Sequence, residues 1–120
     1  MIEHNKKIEI SWQLYENVEQ LSAEQQNLLQ EAKLALDKAY APYSNFHVGA
    51  AVKLEDGSVL SGANFENAAY PMCLCAERSV LATAVSTQPN SIVKAMAIRV
   101  RNPKNPVLQP AAPCGACRQV

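Results

Sequence analysis

Apolar residues recur at the spacing of one helical face between residues 22 and 40. This stripe consists of leucine and alanine, at Leu28, Leu29, Ala32, Leu36 and Ala39. Ser22 followed by Gln25 has the pattern of a capping box, in which the two side chains satisfy amides at the helix start. Pro42 disfavours helical geometry in the residue before it. The pattern therefore predicts an amphipathic helix from about Ser22 to Tyr40.

Two apolar runs on either side of Asp56-Gly57 give the clearest strand signal in the chain. An Asp-Gly dipeptide readily adopts the backbone conformation of a tight hairpin turn. The stretch VGAAVKLEDGSVLSGAN therefore predicts a β-hairpin with strands at about 47–54 and 58–63.

A second helix and a third strand are expected downstream of the hairpin. The segment CAERSVLATAVS has helical propensity, and its predicted core-facing residues are Ala76, Val80, Leu81 and Ala84. Residues 92–101 alternate as a strand does, with the buried face expected at Ile92, Val93, Ala95 and Ala97. The prolines of 102–113 predict a loop, and residues 114–120 predict the start of another helix.

The order helix, hairpin, helix, strand is typical of a layered α/β fold. A strand–helix–strand crossover in such a fold would place one parallel pair in the sheet. Residues 1–20 form an irregular lead-in, with a candidate short strand near Ile8–Trp12.

Composition narrows the functional class. Of 120 residues, 48% are hydrophobic and 18% are charged, which is the balance of a globular domain. Eleven basic and 11 acidic residues give zero net charge, which argues against a binder of nucleic acid polymers. No apolar run of about 18 residues predicts a membrane span, and the N-terminus lacks the features of a secretory signal. The sequence therefore predicts a cytoplasmic protein without nucleic acid or membrane partners.

Four cysteines in a reducing compartment favour metal binding or catalysis over disulfides. Cys114 and Cys117 have C-x-x-C spacing at a predicted helix start, and Cys75 lies at another helix start. If the two helix starts converge, three thiolates meet at one point and can bind zinc in a tetrahedron. Arg78, one turn into its helix, can hydrogen-bond to a ligand sulfur and reduce the negative charge of the site.

The fourth position of such a zinc site decides between structure and catalysis. Cys73 is one candidate for that position, and it would complete an all-thiolate structural site. Water is the other candidate, and Glu77 in the C-x-E pattern could exchange protons with it.

Four stretches in order, APYSNFHVGAAV, NFENAAYP, CAER and PCGACRQ, resemble the cytidine deaminases, in particular their small homotetrameric branch with three zinc-binding cysteines. Zinc deaminases as a class share a P-C-x-x-C signature with an upstream Cys or His and a Glu that transfers protons. The resemblance implies an α/β/α sandwich with a mixed central sheet, apparently truncated after the start of the third core helix. It divides the chain into an N-terminal extension, 1–21, and a catalytic domain, 22–120, from which the C-terminal part of the family fold is absent.

The resemblance also implies a role for each matching residue. One zinc ion per subunit would be held by Cys75, Cys114 and Cys117, with Arg78 supporting the sulfurs. Glu77 would be the catalytic proton shuttle. Substrate contacts would come from Phe46, Asn64, Glu66 and the backbone amide of Ala76. Ala68 and Tyr70 would reach a neighbouring subunit's site. From the residues alone, Asn64 and Glu66 could equally be turn residues, and Phe46 could belong to the core.

The function implied by the resemblance is the zinc-dependent hydrolytic deamination of cytidine and 2′-deoxycytidine in pyrimidine salvage, by a homo-oligomer that is a tetramer or else a dimer. A carboxylate at Glu66 would repel a phosphorylated ribose, so a free pyrimidine nucleoside is the expected partner. Two alternatives stay open. One is deamination of a nucleoside analogue of the blasticidin S type, and the other is a structural four-cysteine zinc module without catalysis.

Overall fold

A computed structural model describes residues 2–105 and 111–120. The helices and strands are α1 (Ala23–Ala35), β1 (His47–Leu54), β2 (Val59–Ala63), α2 (Ala76–Thr87), β3 (Val93–Arg101) and α3 (Gly115–Gln119). Short 3₁₀ turns lie at Val18–Gln20, Leu36–Lys38 and Tyr70–Met72. The predicted α/β class is confirmed.

Helix α1 begins at the predicted capping box. The Ser22 hydroxyl accepts from the Gln25 amide at 3.2 Å, and the Gln25 side chain accepts from the Ser22 amide at 3.0 Å. The regular helix is shorter than predicted, because its last turn tightens into the 3₁₀ turn Leu36–Lys38.

Strand β1 is the middle strand of the described sheet, whose order is β2-β1-β3. It pairs antiparallel with both neighbours, so that Ala50 stands opposite Gly62 in β2 and Ile98 in β3. The hairpin predicted around Asp56-Gly57 is confirmed, with β2 beginning one residue later than predicted.

The predicted parallel pair is wrong. The crossover through α2 gives β2 and β3 the same direction, but β1 lies between them and pairs antiparallel with each. A crossover fixes the relative direction of two strands without making them neighbours. In residues 2–105 and 111–120 the sheet is therefore antiparallel rather than mixed.

The two faces of β1 are covered by different helices, which makes three layers. On one face Ala50, Val52 and Leu54 pack with residues of α2 in a buried cluster completed by Ala76, Val80 and Ala84. On the other face Ala51 packs with Leu28 and Ala32 of α1. Leu81 joins the α2 side as a half-buried contact, in agreement with the predicted core face of that helix.

The predicted buried face of β3 is corrected. Ile92 is 54% exposed and Val93 is 37% exposed, whereas Met96 and Ile98 pack against the α2 core. Only Ala97 of the predicted face packs inward, on the α1 side. The first residues of β3, Val93 to Ala95, are exposed because the strand meets the two buried clusters only further along, at Met96, Ala97 and Ile98.

Residues 2–15 contain neither helix nor strand, so the candidate strand at Ile8–Trp12 is not formed. Ile8, Ile10 and Trp12 are exposed. In the described part of the chain, none of the helices has the length and apolar character required to cross a membrane. The predicted loop at 102–113 is confirmed for 102–105 and 111–113, and its centre, 106–110, lies outside the described residues.

Substituting Gly49 should destabilise the fold because α1 passes directly over it. A Cβ atom at Gly49 would lie 2.1 Å from the Ala32 carbonyl oxygen and 3.0 Å from the Leu36 amide nitrogen. Both contacts are backbone atoms, so Gly49→Ala must displace the helix, and we expect the free energy of unfolding to fall by about 2–3 kcal/mol. Gly115→Ala is the matched control, since a Cβ there meets no heavy atom of the described chain within 4 Å. Equal denaturant midpoints for the two variants would contradict this packing.

Candidate metal centre and substrate pocket

Three cysteine thiols converge where the first residues of α2 meet the first residues of α3. Cys75 is the residue before α2, Cys114 is the residue before α3, and Cys117 lies within α3. The Cys75 and Cys114 sulfurs are 3.9 Å apart, and the Cys114 and Cys117 sulfurs are 3.4 Å apart. All three sulfurs lie within 4.8 Å of one another. The convergence expected from the sequence is present.

The spacing of the sulfurs fits one zinc ion. A tetrahedral site with zinc–sulfur bonds of about 2.3 Å separates its sulfurs by about 3.8 Å, close to the distances between these three cysteines. Hydrogen bonds from the Cys117 amide and side chain hold the pKa of Cys114 below its ordinary value, whereas burial raises the pKa of Cys117 to about 11. Cys114 is therefore the more readily ionised of this pair. Three protein thiolates leave one position of a tetrahedron for another ligand.

Cys73 is not part of this cluster. Its sulfur accepts a hydrogen bond from the Asn67 amide at 3.2 Å and lies 3.5 Å from the Asn67 carbonyl oxygen. The Cys73 side chain therefore closes a local turn. This arrangement disfavours the all-thiolate structural site, which needs the Cys73 sulfur beside the other three.

Arg78 donates to the cluster, as the sequence suggested. Its Nη2 lies 3.5 Å from the Cys75 sulfur. Hydrogen bonds to Cys75 and, to a smaller extent, to Cys117 raise the pKa of Arg78 above its ordinary value. The guanidinium thus provides positive charge beside two of the three sulfurs.

Glu77 is buried beside the same cluster. It is the second residue of α2 and is 6% exposed, which excludes the simpler interpretation of a solvent-facing acid in a first helical turn. No group in the described part of the chain donates a hydrogen bond to its carboxylate. A buried carboxylate without such partners is costly unless another group compensates it. Glu77 therefore places a carboxylate in the cavity beside the thiol cluster, without a hydrogen-bond donor among the described residues.

A cavity of about 370 Å³ opens over the cluster. It brings together most of the site residues predicted from the sequence: Phe46, Asn64, Glu66, Cys75, Ala76, Glu77 and Cys114. Phe46 is 38% exposed and lines the cavity, so it does not belong to the closed core. This volume lies near the lower end of the range for small-molecule pockets.

Of two other predicted residues, one lines this cavity and one lies beside it. Ala68 lines a neighbouring cavity, and Tyr70, like Cys73, borders both cavities. Tyr70 is 86% exposed, so its side chain is available to a second molecule.

The sequence reasoning missed the apolar wall of the pocket. Ile98 and Val100, from the second half of β3, line the cavity together with Val48 of β1. The available signal was the alternation in AMAIRV, where the larger side chains share the face opposite the one expected to be buried.

Asn64 and Glu66 line the pocket, and both also bind the loop before β1. The Asn64 side chain accepts from the Val48 amide at 2.9 Å and donates to the Phe46 carbonyl at 2.8 Å. The Glu66 carboxylate accepts from the amides of Tyr43 and Ser44, each at 3.1 Å. Hydrogen bonding from Ser44, outweighing the opposite effect of partial burial, holds the pKa of Glu66 below its ordinary value. Glu66 is therefore ionised at neutral pH.

Comparison with known proteins identifies relatives over most of the chain. The family model for the cytidine and deoxycytidylate deaminase zinc-binding region matches residues 22–120. A cytidine deaminase from Halalkalibacterium halodurans is 50% identical over 97 residues, which cover 81% of this chain and 69% of that protein. A cytidine deaminase from Sporosarcina psychrophila is 48% identical over 95 residues, covering 79% of this chain and 65% of that protein. The chain thus spans about two thirds of the length of these relatives.

Solved structures that resemble this fold are also cytidine deaminases. Cytidine deaminase from Burkholderia pseudomallei has a TM-score of 0.67 and 45% identity, over 78% of this chain and 70% of that chain. Cytidine deaminase from Mycobacterium tuberculosis has a TM-score of 0.69 and 39% identity, over 82% of this chain and 75% of that chain. The three-layer arrangement is therefore shared with these proteins.

Proposed function

Because the chain belongs to the cytidine and deoxycytidylate deaminase zinc-binding family, a family of enzymes, we propose that it hydrolyses the exocyclic amine of cytidine and 2′-deoxycytidine. In this reaction the oxygen of water bonds to C4, the bond from C4 to the amine breaks, and ammonia leaves. The observation that carries the proposal is the buried Glu77 carboxylate in a small pocket beside three converged thiols.

The zinc-binding region of this family fits the thiol cluster, with Cys75, Cys114 and Cys117 as the residues that would hold one ion. When bound there, zinc would supply the Lewis acidity that activates water for attack. Glu77 takes a proton from the attacking water and delivers protons to N3 of the ring and to the leaving amine. The Ala76 amide, at the first position of α2, has no acceptor within the helix and binds the base carbonyl.

The sugar end of the pocket supports a nucleoside rather than a nucleotide. Asn64 and Glu66 place an amide and an ionised carboxylate in this part of the pocket. A sugar hydroxyl can donate to the carboxylate, whereas a phosphate group near it would be repelled. Phe46 provides an aromatic surface near the pyrimidine.

We extend the proposal to the assembly and the biological setting. Residues 22–120 form the catalytic domain, and residues 1–21 form an N-terminal extension. The protein assembles as a homo-oligomer, a tetramer or else a dimer. The exposure of Ala68 and Tyr70 beside the pocket supports their contact with a neighbouring subunit's site. A nucleoside deaminase of this kind would serve pyrimidine salvage in the cytoplasm.

The proposal is tested by adding cytidine, 2′-deoxycytidine and cytidine monophosphate separately to the zinc-loaded protein. We expect the cytosine absorbance to decrease with both nucleosides, with kcat/KM for the monophosphate at least about 100-fold lower because of charge repulsion at Glu66. Release of ammonia in a one-to-one ratio with uridine confirms the stoichiometry. Preference for the monophosphate would contradict the substrate class, and a zinc-loaded protein without turnover would contradict the activity.

A further inference from the structure

The loop that carries Phe46 into the pocket has few hydrogen bonds of its own. Within it, the Asn45 amide donates to the Ala41 carbonyl at 3.0 Å, and the Phe46 amide donates to the Ser44 hydroxyl at 3.0 Å. Asn45 has a positive φ of 56°, a left-handed conformation that asparagine adopts more readily than most residues other than glycine. A loop of this kind needs external contacts to keep one conformation.

The segment from Asn64 to Glu66 supplies these contacts through its backbone at both ends of the loop. On the N-terminal side, the Tyr40 amide donates to the Asn64 carbonyl at 2.9 Å and the Glu66 amide donates to the Tyr40 carbonyl at 2.8 Å. On the C-terminal side, the Asn64 amide donates to the Val48 carbonyl at 3.1 Å. Asn64 and Glu66 therefore fix where the loop begins and where it ends.

The side chains of the segment bind the interior of the loop. The Asn64 amide group bridges the Phe46 carbonyl and the Val48 amide, so it takes the place of a strand partner next to the pocket. The Oε1 atom of Glu66 accepts two neighbouring loop amides, from Tyr43 and Ser44. A side-chain hydrogen bond from Ser44 also reaches the Glu66 carboxylate.

We propose that Asn64 and Glu66 are positioning residues that hold the 43–48 loop, and with it Phe46, in the shape the pocket requires before substrate binds. This inference rests on the proposed nucleoside deamination. It gives the Glu66 carboxylate a task in holding the loop in addition to any contact with the sugar. Loss of the carboxylate then disturbs the base end of the pocket as well as the sugar end.

The first test needs no turnover. Amide hydrogen exchange is measured for Tyr43 and Ser44 in the ligand-free, zinc-loaded protein, and a hydrogen bond to a charged group predicts about tenfold or more faster exchange in Glu66→Ala. Glu66→Gln should recover part of this protection, because its carbonyl oxygen can still accept from the two amides. Glu55→Ala, which removes an exposed carboxylate from the β1–β2 turn, is the matched control and should leave both amides unchanged. Identical exchange in Glu66→Ala and the unmodified protein would overturn the proposal.

The second test separates positioning from direct sugar contact. The nucleoside 2′,3′-dideoxycytidine lacks both hydroxyls that a carboxylate at this position could bind. A residue that acts only through those hydroxyls leaves kcat/KM for this substrate unchanged when it is replaced. We expect Glu66→Ala to lower it about tenfold or more, with partial recovery in Glu66→Gln and unchanged zinc content. An unchanged value in Glu66→Ala would overturn the proposal. If the unmodified protein turns over cytidine but not this analogue, the exchange comparison alone decides the proposal. If it turns over neither, the deaminase function itself is contradicted.

Discussion

Replacing Glu77 by Gln is expected to lower kcat for cytidine by about 10³-fold or more while the zinc content stays at one ion per chain. A positioned acid or base contributes roughly 10²- to 10⁴-fold to a reaction, and here one carboxylate would serve several proton transfers in sequence. Glutamine keeps the length and polarity of the side chain but cannot accept and return a proton. Binding of cytidine should therefore persist, so that kcat falls far more than KM changes.

The burial of Glu77 makes the stability of this variant informative. Glu77 is 6% exposed and has no hydrogen-bond donor among the described residues, so a neutral amide of the same length breaks no hydrogen bond of the described fold. If the carboxylate is there for chemistry, Glu77→Gln should have a melting temperature equal to or above that of the unmodified protein. If the carboxylate is there for the fold, the variant should unfold more easily.

The measurements are kcat and KM from the cytosine absorbance, zinc by elemental analysis, and thermal unfolding of the same samples. Glu55→Gln replaces an exposed carboxylate and serves as the control, with all three quantities unchanged. Turnover within a few-fold of the unmodified protein in Glu77→Gln would remove this residue from the proposed mechanism.

Local patterns in the sequence were enough to predict most of the helices and strands. The Asp56-Gly57 turn and the Ser22 capping box depend on a few neighbouring residues, and both appear as predicted. The cysteine convergence was also accessible, because C-x-x-C spacing at one helix start restricts where a third ligand can lie. These features do not depend on how the layers of the fold are arranged.

The predictions that were wrong concern how the helices and strands are arranged relative to one another. Alternation along 92–101 shows that the segment has two faces, but the coverage of each face depends on the position of the helices. Small alanines on one face and the larger Met96, Ile98 and Val100 on the other gave the better clue, since the larger residues line the core or the pocket. The prediction of a parallel pair was wrong for a related reason. Nothing in the sequence of β2, α2 or β3 indicates that β1 will lie between the two strands.

The sequence could not predict, for the same reason, that Asn64 and Glu66 both hold the loop before β1 and line the pocket. From the sequence these residues are either a turn or a substrate contact, and those two interpretations look exclusive. In the fold, the loop before β1 approaches the residues after β2, so the side chains contact loop backbone and line the pocket together. Contacts between segments about 20 residues apart depend on the hairpin register, which brings Val48 next to Asn64.

The cysteine substitutions should have opposite outcomes at two nearby positions. Cys114→Ala removes a sulfur that lies 3.9 Å from that of Cys75 and 3.4 Å from that of Cys117. Because loss of a group that merely supports a metal ligand costs about 10- to 100-fold in affinity, loss of a ligand should cost at least about 100-fold. We therefore expect Cys114→Ala to lose its zinc on dialysis against a weak chelator, and to lose turnover with it.

Cys73→Ala is the matched control, because it removes the same chemical group from a turn that lines the same pocket outside the metal cluster. The Cys73 sulfur contacts Asn67 and stands outside the metal cluster, so zinc content and turnover should both be retained, with at most a small loss of stability. Zinc per chain and kcat, measured on both variants after the same dialysis, distinguish the two roles. Loss of zinc from Cys73→Ala would favour a four-cysteine structural site, in which no position is left for water. Retention of zinc and turnover by Cys114→Ala would contradict the three-thiolate centre, because two sulfurs would then be sufficient to hold the ion.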